Sequence, residues 1–191
     1  MRLLSFCIAL FSVLATPVFA HTVSGSTDSF AAGLAHPLGG ADHLVAITFA
    51  GLWSGLVGRT AIIAWPVTFA AAMLGGFAAA SAGLQLGFVE AATSLSVTLL
   101  GAFIAFELTM AVVLGAVVIG LFASFHGHAH ATEATSLLLP YVTGFTMATL
   151  ALLVVGIAVA VWAKSSAGRY VVRTAGGCAA LAGLFLLGGL A

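Results

Sequence analysis

The chain has 191 residues, of which 62% are hydrophobic and 5% charged, and its mean hydropathy is +1.25. So apolar a chain is no soluble domain; long apolar stretches with few charges mark transmembrane helices. Its formal net charge is zero, so nothing points to nucleic acid or to an acidic substrate. The 23 glycines agree, because glycine is common where membrane helices pack closely.

The chain opens with Arg2, the apolar run LLSFCIALFSVLA and the small-residue stretch Pro17-Val18-Phe19-Ala20. That pattern predicts a secretory signal peptide over residues 1–20, cut after Ala20; the competing reading is an uncleaved first membrane helix. Residues 21–191 then form a single domain of six apolar segments, at 31–57, 61–80, 86–106, 109–125, 136–163 and 170–190. The connections are short, and one of them is the histidine stretch after the fourth segment. The expected fold is an all-α polytopic membrane protein with six transmembrane helices after a cleavable signal peptide. The chain carries neither a GxxxxGK[ST] phosphate loop nor a dinucleotide glycine fingerprint, so it contains no ATP motor of its own.

Charge sets the orientation. A cleaved signal peptide leaves His21 outside, and counting segments then puts Arg59, Lys164, Arg169 and Arg173 on the cytoplasmic side, as the positive-inside rule requires. Both termini of the mature chain fall outside. All six histidines, with Asp28, Asp42, Glu90 and Glu133, gather at or near the outer face, and Glu107 alone among the acids lies inside.

Two motifs carry this polarity. The first is HPLGGADH, from His36 to His43. Those histidines are seven apart, two helical turns, and so share a face. The segment would be ~40 Å long as one helix, against ~30 Å of hydrocarbon, so a break near Pro37 and Gly39-Gly40 is expected. Asp42 and His43 then lie within the outer third of the membrane, where an ionisable residue is a functional candidate by default. The plain alternative is an internal hydrogen bond or ion pair of Asp42, whose near basic neighbours are themselves histidines.

The second motif is FHGHAHATEAT, from Phe125. On a helix His126, His130 and Glu133 share a face and His128 turns away; in an extended loop the three histidines align instead. Imidazole with carboxylate suits borderline divalent ions: nickel, cobalt, zinc or copper. A histidine-rich loop binding metal loosely is the alternative. Glu90, one turn into the third segment, and His21, exposed with its amino group by cleavage, are weaker candidates, as is His128. Trp53, Trp65, Trp162, Met110 and Met147 read as packing or interface residues. Thr48, Thr98, Thr143, Thr146 and Glu107 are the polar groups available to an inner half of a path.

Together the motifs resemble those of the HupE/UreJ family: His36, Asp42 and His43 match its H-x5-D-H pattern, and Phe125 to Glu133 nearly match FHGxAHGxE, with Ala131 in place of the second glycine. The resemblance covers the whole chain. It implies a bacterial inner-membrane permease, not an enzyme, with its metal site facing the periplasm. It also implies secondary uptake of nickel, in some members cobalt, supplied to a hydrogenase or urease. The metal would be transported substrate; the spacing itself leaves zinc and copper open. The rival readings are an intramembrane zinc-dependent hydrolase and a metal-binding sensor or accessory protein. The oligomeric state is open, a homo-oligomer included.

Overall fold

The computed structural model describes residues 29–133 and 139–189. The expected signal peptide, His21, Asp28 and the Glu133 side chain lie outside the described residues. Among those described there are seven helices and no strand: α1 (Phe30–Gly39), α2 (Ala41–Val57), α3 (Ala61–Ser81), α4 (Val89–Ala105), α5 (Val112–Glu133), α6 (Leu139–Trp162) and α7 (Ser166–Leu187).

The first apolar segment is broken, as expected. The Ser29 side chain caps α1 by accepting the Ala32 N–H at 3.1 Å, satisfying an amide with no partner inside the helix. Pro37 lies within α1 and removes the N–H that the Gly33 carbonyl would otherwise accept. The helix runs on to Gly39, and extended backbone at Gly40 (φ −102°, ψ 117°) separates it from α2 at a bend of 87°. The break therefore falls at Gly40, three residues beyond the proline.

Two other expectations are corrected. The histidine stretch is not a break: α5 runs through it to Glu133, because FHGHAHATE holds no proline and its glycine serves packing. The third segment is helical only over Val89–Ala105, 17 residues, with Phe88 in the left-handed region (φ 60°) at its start. Among the described residues four helices, α3, α5, α6 and α7, are long and apolar enough to cross a membrane; the bent pair α1–α2 brings the number to five. At ~1.5 Å per residue α4 is ~26 Å long, short of the usual span.

In the bundle α3 packs on α5, α1 and α2 on α6, α4 on α7, and α2 also meets α3 and α4. The α3–α5 contact is close because glycines sit where a Cβ would overlap backbone, Gly76 against the Ser124 carbonyl and Gly127 against the Met73 carbonyl. Trp53, Trp65, Phe69, Met73 and Phe145 fill the centre. Large apolar side chains such as Ile63, Val67, Val113, Val117 and Val154 point outward, the surface a bilayer covers. The chain is an integral membrane protein.

Candidate metal site

The break between α1 and α2 brings both histidines of the first motif to face α5. The rings of His43 and His130 are 4.3 Å apart between centres, those of His43 and His126 4.8 Å, and those of His36 and His130 4.7 Å. Residues nearly ninety positions apart in sequence thus form one chain of imidazoles. Phe145 of α6 packs edge-on against His130 at 4.5 Å, and Tyr141 lies 5.7 Å from His36.

Hydrogen bonds decide which nitrogens can act as donors to a metal. A carboxylate only accepts, so His43 donates Nδ1–H to Asp42 Oδ1 at 2.9 Å, which leaves the lone pair on Nε2. The Ser96 hydroxyl has one proton and gives it to the Thr93 carbonyl at 2.6 Å. His126 Nε2 therefore donates to Ser96 Oγ at 2.8 Å, and its lone pair sits on Nδ1. That Nδ1 is buried with no hydrogen-bond partner, as are both ring nitrogens of His130. Buried polar atoms without partners are costly and uncommon; here they lie in the patch where the imidazoles meet.

The rings stack edge to face and do not yet converge on one point. Among the described residues no group of three or more His, Cys, Asp or Glu side chains stands ready to hold a metal ion. Two imidazoles on one ion have centres roughly 4.5–5.5 Å apart, given metal–nitrogen bonds of about 2.0–2.1 Å. The spacings of 4.7 and 4.8 Å lie within that range and the 4.3 Å of His43 and His130 just below it. Four imidazoles, those of His36, His43, His126 and His130, are the nitrogen donors this patch can offer; Asp42 adds charge and fixes a ring.

The remaining candidates separate. His128 is buried but turns to the α3–α4 connection, accepting the Leu86 N–H on Nε2 at 3.4 Å. Glu90 is exposed in the first turn of α4. Glu133 ends α5 one turn beyond His130. Thr98, Thr143 and Thr146 bond back to carbonyls four residues earlier, the usual habit of a threonine inside a helix. Glu107 lies at the other end of the bundle, where Arg169 donates to both its oxygens at 2.9 and 2.6 Å; these bonds hold its carboxyl below the usual range. Sequence reasoning missed Ser96, Tyr141 and Phe145. Only Ser96 left a signal, as one of several small polar residues in an apolar helix, where hydroxyls bond across helices.

Residues 8–186 match the family described as HupE / UreJ protein. A protein of Rhizobium leguminosarum bv. viciae, "Protein HupE", is 40% identical over 181 residues, covering 93% of this chain and 95% of that one. No solved structure matches.

Proposed function

The chain belongs to the HupE/UreJ family, and on that premise we propose that it is a secondary uptake permease for a divalent transition-metal ion. Nickel is the favoured substrate and cobalt the next, supplied to a hydrogenase or urease. The family is one of transport and accessory proteins, not enzymes. The observation that carries the reading is the meeting of His36 and His43 with His126 and His130 inside the bundle, with unpartnered nitrogens on the last two.

The proposed orientation puts this histidine end outward, in six spans with the short α4 as one of them and both termini of the mature chain outside. Arg59 follows α2 and Lys164 follows α6 at the ends away from the histidines, and Arg169 and Arg173 begin α7 there, a polarity that supports cytoplasmic placement. A hydrated ion exchanges water for imidazole as the rings turn toward it. Without that exchange the hydrocarbon is closed to it. Two charges moving inward gain ~4.6 kcal/mol per 100 mV of inside-negative potential, enough to drive uptake without ATP.

The test is nickel flux into liposomes holding the purified protein, under an imposed inside-negative potassium diffusion potential. Uptake should rise with the potential, need no nucleotide, and fall to the level of empty liposomes in His43→Ala. Tight nickel binding with no flux at any potential would make the protein a sensor or accessory and end the permease reading.

A further inference from the structure

α2, which carries His43, and α5, which carries His126 and His130, are bridged at their far ends by Trp65 of α3. Trp53 lies ten residues along α2 from His43, and Gly115 lies eleven residues before His126 on α5, each ~15 Å from the histidines. There the Trp53 and Trp65 rings lie 4.3 Å apart, and Phe103 lies 4.8 Å from Trp53. Both indoles are buried. Each donates its N–H at 2.8 Å to a carbonyl flanking the α4–α5 connection, Trp53 to Leu108 and Trp65 to Val112. The Trp65 ring rests on Gly115 so closely that a Cβ there would overlap it. Between the two layers, Ala46, Ala50, Phe69, Leu100 and Ile119, together with Ser96 and His126, line a space too narrow for water.

An ion passing inward from the histidines would meet that narrow space and then a cluster of three aromatic rings. We propose that Trp53, Trp65 and Phe103 form the inner gate of the path. Two indole N–H bonds, to Leu108 in the α4–α5 connection and to Val112 at the start of α5, and the seat of Trp65 on Gly115 hold it shut. This rests on the uptake reading above. Because α5 carries His126 and His130 at one end and the seat of Trp65 at the other, a tilt of α5 that admits an ion to the imidazoles also loads the latch.

The experiment uses the full chain in liposomes without membrane potential, nickel chloride outside and a nickel-quenched dye inside, beside nickel titration of the same samples. Trp53→Phe and Trp65→Phe keep a ring but lose the N–H. Each should raise the initial nickel flux about fivefold, the effect of losing one net hydrogen bond from the shut state. Nickel affinity should stay within about twofold. Gly115→Ala keeps both indole N–H groups in the chain but unseats the Trp65 ring, and should raise flux likewise. Flux unchanged or lower in all three with nickel binding retained would overturn the gate, as would loss of nickel binding in step with flux. If the unsubstituted protein moves no nickel above empty liposomes, the uptake reading itself fails, a result the gate variants cannot mimic.

Discussion

Replacing Asp42 with Asn preserves the size of the side chain and an oxygen to accept the His43 Nδ1–H, but removes the negative charge beside the imidazoles. An ion on His43 Nε2 would stand ~6–7 Å from that carboxylate. Two positive charges and one negative at this distance interact by roughly 1.3 kcal/mol in water and about 5 kcal/mol at the effective dielectric of a protein site. The Asp42 side chain is 29% exposed, which favours the lower part of that range. Losing the carboxylate partner of a metal-binding histidine typically costs 10–100-fold in affinity, about 1.4–2.7 kcal/mol. The expectation is therefore a nickel Kd weakened by roughly 10–100-fold in detergent-solubilised protein, followed by calorimetry, with the same yield and melting temperature. Asp42→Ala, which also frees the ring to rotate, should lose more. A Kd for Asp42→Asn within twofold of the unsubstituted protein would refute the electrostatic role and leave Asp42 a structural residue.

Three further outcomes follow from the packing and the polarity. Ser96→Ala removes the acceptor of the His126 Nε2–H and should weaken nickel binding by about tenfold in the same titration, with flux falling in parallel. Gly127→Ala drives a Cβ into the Met73 carbonyl and should destabilise the α3–α5 pair by about 1–3 kcal/mol in thermal unfolding, whereas Gly75→Ala, with open space at its Cβ, should be neutral or slightly stabilising. A reporter fused after Ala191 should be external and one at Lys164 cytoplasmic; the reverse activities would remove the outward-facing site.

Coordination number leads to the expectation that the two motifs lie together, since neither alone offers the four to six ligands a divalent transition ion takes, and His36 and His43 do meet His126 and His130. The break in the first segment was equally readable, since one helix from 31 to 57 is too long for the bilayer. Of the residues expected to break it, Pro37 is tolerated inside α1 and Gly40 takes the bend. Glycine was the recurring ambiguity. The histidine stretch was expected to be a break, but Gly127 lets α5 approach the Met73 backbone and the helix continues to Glu133. Residues 86–88 are apolar enough to extend a span, but only backbone geometry reveals the left-handed Phe88 that delays α4. Ser96, Tyr141 and Phe145 come to the histidines from two other helices, α4 and α6, by packing that no local pattern records.

The most direct test of the central claim, that both motifs serve one ion, is a double-mutant cycle on nickel affinity with His43→Ala and His130→Ala. The two rings lie 4.3 Å apart, well within the distance at which effects cease to be independent. A shared site predicts that each single substitution loses most high-affinity binding and that the double substitution loses little more. Losses that add fully would place His43 and His130 at separate stations along a path, and the single-site picture would be wrong.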